Sequence, residues 1–248
     1  MACDKEQELV ANLKAEHAEA QQGCNEGIHS ECNRARVLLQ QLAQAQAQGE
    51  ARCKRVIVHF KSLLAIDDAI AGFIDRQFIA MQALFTAGGL TIERSTTEDL
   101  SEDQNLEPLK NLTVGQCLRG QPTREQTALF ENRNGVGDNE LVVYIVSTLI
   151  GNAASGNFLG CAASPVGRPG AVVVQSETAD WLVAHEVGHA LGLSHVCEMS
   201  ATPGAVVCVS GSNESDSLMF PNVGWTNVPP DLSASEYTTM ITSRFNFF

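Results

Sequence analysis

No apolar run in the 248 residues approaches the roughly 18 to 20 needed to span a bilayer, so no membrane-spanning helix is expected. Basic residues are scarce, 16 against 29 acidic ones, and the net charge is −13. A chain so poor in cations lacks the surface that phosphate contacts require, which excludes a nucleic-acid partner. None of the eight cysteines forms a CxxC pair, which argues against a zinc-thiolate site. The first ten residues, MACDKEQELV, have neither the basic nor the apolar region of a signal peptide. The expectation is therefore a cytosolic chain or a mature form with an added Met. Tandem repeats and low-complexity tails are also missing. What remains is an ordinary globular composition, 44% hydrophobic with mean hydropathy −0.05, long enough for one large domain or a domain with an appendage. The acidity would favour basic substrates or weak calcium binding; nothing else argues for calcium, and a solvated surface is the plainer reading.

Composition changes abruptly at Arg55. Residues 1–54 are rich in Ala, Gln and Glu with few helix breakers, and carry cysteines at 3, 24, 32 and 53. The outer and inner pairs share one index sum, as opposed residues of an antiparallel helical hairpin do. The spacing of 21 on each arm is three heptads, about 31 Å of helix, so both cysteines of an arm return to the same seam. This predicts a hairpin stapled by Cys3–Cys53 and Cys24–Cys32. Its seam is Val10, Leu13 and Ala20 against Ala35, Leu39 and Leu42, with the turn at residues 25–28. So thin a seam is marginal alone, which explains the staples, and staples imply an oxidising compartment; the protein reads as exported.

From residue 55 the pattern is strand, helix, strands, helix. Residues 55–60 (RVIVHF) read as a strand, and residues 67–87 as an amphipathic helix with Ile70, Phe73, Ile74, Ile79, Leu84 and Phe85 as core positions. Residues 90–94 read as a strand, 95–139 as a polar stretch of turns, and 141–149 as one buried central strand. The fold class is α/β (α+β): a mixed sheet with a helix packed beneath it, preceded by the hairpin.

Residues 185–195 read HEVGHALGLSH. His185 and His189, four apart, project from one helical face and can share an ion. Glu186 adjoins the first ligand and is placed to take a proton from a zinc-bound water. Gly192 permits the positive φ that ends the helix and returns the chain to deliver His195 as third ligand. Three protein ligands leave the fourth position of a single Zn²⁺ open, the mark of a catalytic site.

HExxHxxGxxH resembles the zinc signature of the metzincin metalloproteases, and the family implies a methionine-bearing turn beneath the metal. Met219 in SLMFP, 24 residues after His195, is similar to that turn. In pattern the chain looks closest to the matrixin branch, although Val196 follows the third histidine. The resemblance implies a catalytic domain over 55–248, an upper subdomain 55–192 and a lower one 193–248. It also implies an edge strand of Phe158, Leu159, Gly160, Cys161 and Ala162 on which an extended peptide pairs by strand addition. Pro221, Asn222, Val223 and Gly224 would wall the pocket for the residue after the cut. The function implied is a zinc endopeptidase acting on protein or peptide substrates, with Glu186 as general base.

Of the other cysteines, Cys197 and Cys208 read as closing the loop before the Met turn, worth about 3 kcal/mol in the chain-entropy model, which leaves Cys117–Cys161. The other two pairings, and a free Cys117 capping the zinc, stay open. The alternative function is an inactive binding protein on the same fold, with the hairpin meeting a protein partner. Intact Glu186 and histidines favour the enzyme.

Overall fold

The computed structural model describes residues 2–52, 54–152, 156–176, 179–199, 206–208, 214–222 and 229–243. The chain divides into two compact units, residues 1–54 and 55–247.

The first unit is a pair of helices, α1 (Ala2–Asn25) and α2 (His29–Arg52), closed by Cys24–Cys32. Gly27 takes φ +89° in the turn. Ala20, Ala35 and Leu38 are buried together, with Leu13 packed against them. Leu39, expected on this seam, is exposed, and its neighbour Leu38 is buried instead. Steps of three and four from Ala35 lead through Leu38 to the buried Leu42, one continuous stripe that Leu39 leaves. The expected Cys3–Cys53 pair lies outside the described residues.

The second unit is a mixed α/β fold, in agreement with the sequence reading. A five-stranded sheet runs in the order β2 (Leu90–Asp99), β1 (Lys54–Ser62), β4 (Leu141–Val146), β8 (Gly170–Val174), β7 (Gly160–Cys161). β1, β4 and β8 are parallel, and β7 is an antiparallel edge. A smaller sheet joins β3 (Asn111–Gly115), β5 (Thr148–Gly151) and β6 (Asn157–Phe158).

Every residue of β4 is buried because both faces are covered, as its unbroken apolar run requires. Val143 and Ile145 join Val58, Phe60 and Val173 under α3 (Asp68–Ala87) and α5 (Leu182–Ala190). Val142, Tyr144 and Val146 face a second core with Leu112, Phe130 and Leu149. Alternation along β1 also buries His59 and Lys61. His59 bonds Thr96 at 2.7 Å and Glu140 at 2.8 Å, and Lys61 pairs with Glu98 and donates to the Asn134 carbonyl.

Three expectations are corrected. Residues 141–149 are two strands, because the Ser147 N–H donates to the Lys110 carbonyl at 2.8 Å and the chain passes from the large sheet to the small one. The stretch 95–139 is not all turns: it holds the end of β2, β3, and a short helix α4 (Arg124–Leu129) opened by a Thr123–Gln126 capping box. On α3 Ile79 is exposed, while Gln77 and Met81 take buried positions.

Buried Gln77 ties α3 to the helix that carries the site. Its amide donates to the Ala179 carbonyl at 2.7 Å and its oxygen accepts from the Val183 N–H at 2.9 Å. α5 has Trp181 at its N-cap and no side-chain cap of its own. A glutamine from the neighbouring helix thus satisfies an orphan donor of its first turn.

Candidate metal centre

α5 is apolar on nearly every side and buried from Leu182 to Gly188, since it lies between the sheet and the chain that follows. It stops at Leu191. Gly192 has φ +112°, its N–H donates to the His189 carbonyl at 3.0 Å, and the Leu193 N–H donates to the Gly188 carbonyl at 2.9 Å. This left-handed turn at Gly192 sends the chain back past the helix with His195 three residues on.

The three imidazoles converge. The His185, His189 and His195 Nε2 atoms are 3.0, 3.2 and 3.3 Å apart in pairs. Zn–N bonds of about 2.0 to 2.1 Å at tetrahedral angles require ligand nitrogens about 3.3 Å apart, so the triangle fits one zinc. The opposite ring nitrogens set the tautomers: His185 Nδ1 meets the Leu218 carbonyl at 2.7 Å and His189 Nδ1 the Leu193 carbonyl at 3.0 Å. Donation through Nδ1–H leaves the Nε2 lone pairs directed at one point. Among the described residues this is the one group of three or more His, Cys, Asp or Glu side chains that could share an ion.

Met219 is buried against the underside of α5. Its Sδ is 3.0 Å from the position a Cβ would take at Gly188, between two of the histidines in sequence. Its carbonyl accepts from the Val196 N–H at 3.1 Å, and neighbouring Leu218 supplies the carbonyl that orients His185. The methionine turn is thus a floor bonded to both ends of the histidine set.

Glu186 is 5% exposed, and its carboxylate accepts no hydrogen bond from the described residues. Burial pushes its carboxyl up to about 8. Burial holds His185 well below its ordinary 6.5, assisted by His189, and it lowers His189 and takes His195 to about 4. The histidines are therefore neutral, the form that binds metal.

These shifts set the pH response of the chelated protein. Below 6.5 the unfolded histidines bind protons that the folded ones refuse, so stability falls as pH drops towards 4. Between 4.5 and 8 folded Glu186 keeps a proton that the unfolded chain releases, so stability falls as pH rises. With three groups acting on the acid side and one on the alkaline side, melting temperature in EDTA is expected to peak near pH 6.5. Glu186→Gln should flatten the alkaline limb; an undiminished fall in that variant would rule the carboxylate out as its source.

Of the expected edge strand, Phe158 ends β6, Leu159 is exposed, and Gly160 and Cys161 form β7 against Val173 and Val172 of β8. The segment is therefore shared between two sheets, with the Leu159 carbonyl accepting from the Val174 N–H at 2.8 Å. Gly160 faces Glu186: a Cβ there would stand 2.3 Å from Oε1. Ala162 is half-buried. Pro221 is half-buried and Asn222 exposed, while Val223 and Gly224 lie outside the described residues. Cys117 is bonded to Cys161 and Cys197 to Cys208. Gln77 and Arg119, which bear on the site, escaped the sequence reading. Gln77 falls four residues from Phe73 and from Met81, a helical spacing that could have found it; nothing local marks Arg119.

A parallel-centred α/β sheet thus presents a convergent histidine triad beside a buried glutamate. Residues 90–230 match the model of metallopeptidase family M12, and the chain belongs to that family. Among solved structures it is similar to metalloproteinase-II from Bacteroides fragilis, at 19% identity and TM-score 0.45 over 76% of this chain and 52% of that one. It is also similar to archaemetzincin from Methanopyrus kandleri, at 14% identity and TM-score 0.39 over 79% of this chain and 91% of that one. The chain spans about half the length of the Bacteroides protein. No curated protein sequence matches it.

Proposed function

We propose that the protein is a zinc endopeptidase of metzincin type. The observation that carries this reading is the triangle of Nε2 atoms, 3.0 to 3.3 Å on a side, on a helix whose next residue is a buried glutamate. His185, His189 and His195 hold the zinc, and Met219 supports them from below. Zinc bound there supplies Lewis acidity, polarising a carbonyl and bringing the pKa of a water towards neutrality. Glu186 takes the proton of the attacking water and returns it to the leaving amine. Its apolar setting favours this, since desolvation leaves the carboxylate basic near neutral pH.

The substrate adds as an extended strand along residues 158–162, with the described residues of 55–192 above the cleft and those of 193–248 below it. Pro221 and Asn222 wall the pocket beyond the cut. The hairpin, 1–54, serves as a brace or meets a protein partner. The disulfides support an oxidising, extracellular setting, and no helix among the described residues is long and apolar enough to cross a membrane.

The test is metal analysis of the purified chain with proteolysis of a peptide library. One zinc per chain is expected, with cleavage abolished by a chelator and restored by added zinc. Cleavage that persists after the metal is stripped would overturn the reading.

A further inference from the structure

Arg119 stands beside the histidine triad and has no part in the chemistry above. It lies in the turn after β3, where the Gln121 N–H donates to the Leu118 carbonyl at 3.0 Å and Gly120 takes φ +74°. Its guanidinium donates to the Gly192 carbonyl at 3.4 Å, where the chain leaves α5, and its charge opposes protonation of His189. Two residues before it, Cys117 is bonded to Cys161, next to the Gly160 that abuts Glu186. The loop is therefore pinned at the edge strand and reaches the end of the metal helix. Cys117 itself has φ +52°, a strained conformation for a residue with a side chain.

Of the triad, His185 is buried, His189 partly so and His195 exposed, and it is on the half-buried His189 that the Arg119 charge acts. Arg55, Arg76, Arg94 and Arg168 each pair with a carboxylate, whereas Arg119 meets none among the described residues. Its one bond is long and exposed and leaves the other donors of the fork uncommitted. In a chain of net charge −13, a bare cation next to the turn that links His189 to His195 is a local attraction for acidic ligands within a surface that repels them.

We propose that Arg119 is a specificity-determining residue that pairs with a substrate carboxylate near the scissile bond, so that acidic peptides are preferred. This rests on the zinc-peptidase reading. The carboxylate belongs either to an internal Glu or Asp side chain or to a free peptide C-terminus, and the test separates the two.

The probes are amidated peptides with Glu, Gln or Lys at successive positions, and free-acid versions of the Gln series, given to the full zinc-loaded chain, to Arg119→Ala and to Arg119→Glu. Wild type is expected to show kcat/KM about tenfold higher for an acidic member than for its Gln or amidated counterpart, the size of one charge-assisted hydrogen bond. Arg119→Ala should erase that ratio while Gln peptides change less than about twofold, and Arg119→Glu should turn the preference to Lys. Gain in the Glu series assigns the side chain; gain in the free-acid series assigns the terminus. Binding of the same peptides to a Glu186→Gln background reads the contact without turnover. An acidic preference unchanged in Arg119→Ala overturns the proposal, as does a uniform loss on all peptides with a lowered melting temperature, which would make Arg119 a helix cap only. Arginine-dependent acidic binding without cleavage by wild type would instead sink the peptidase reading alone.

Discussion

Glu186→Gln is expected to lower kcat by about 10³ to 10⁴-fold and to leave bound zinc unchanged. Glutamine keeps the shape of the side chain, so the contact with Gly160 and the burial at 5% exposure survive, but an amide cannot accept the proton of the attacking water. The histidines keep their backbone partners, Leu218 and Leu193, neither of which involves residue 186. Loss of rate is therefore separated from loss of metal, which His185→Ala would cause. Kinetics on a peptide cut by wild type, with metal analysis of the same samples, makes the comparison. A glutamine variant keeping more than about a tenth of wild-type kcat would remove Glu186 from the role of base.

The grouping of the three histidines was legible because the chemistry of a metal site demands local spacing. A separation of four from His185 to His189 is a property of one helix, and Gly192 is needed at one turn for one reason, positive φ, which it adopts at +112°. The parallel core strand was legible in part: unbroken apolarity marks burial on both faces but does not say where pairing partners change, so the switch at Ser147 was invisible. Side-chain choice within a stripe was least legible. Ile79 is as apolar as Ile74, yet it faces solvent, whereas Gln77 is buried because α5 and the residues before it offer a carbonyl and an amide 102 and 106 residues away. The same holds for Leu39 beside Leu38, where a difference of one residue turns a side chain by about 100° around the helix. Local sequence gives the period; the phase is set by a partner elsewhere in the chain.

Gly160→Ala tests such a distant partnership at the site. The substitution is expected to lower kcat about 100-fold, with KM and zinc content little changed, because a misplacement of about 1 Å in a reacting group costs that much. The new Cβ would stand 2.3 Å from Oε1 of Glu186 and 2.6 Å from Cδ, so one side must move. The strand is the firmer side. β7 pairs with β8 at Gly160 and Cys161, Cys161 is bonded to Cys117, and buried Gln126 donates to the Ala163 carbonyl at 3.1 Å. The carboxylate, held by no hydrogen bond among the described residues, is the side that yields. Shortening the base offers the discriminating control. Glu186→Asp alone withdraws the carboxylate by one methylene and loses rate, but in doing so it vacates the space that the added methyl needs. If Gly160 acts through Glu186, the double variant should be no slower than Glu186→Asp alone, a non-additivity that residues in contact display. If the two losses multiply instead, the glycine serves the strand or the substrate, and the carboxylate is positioned without it.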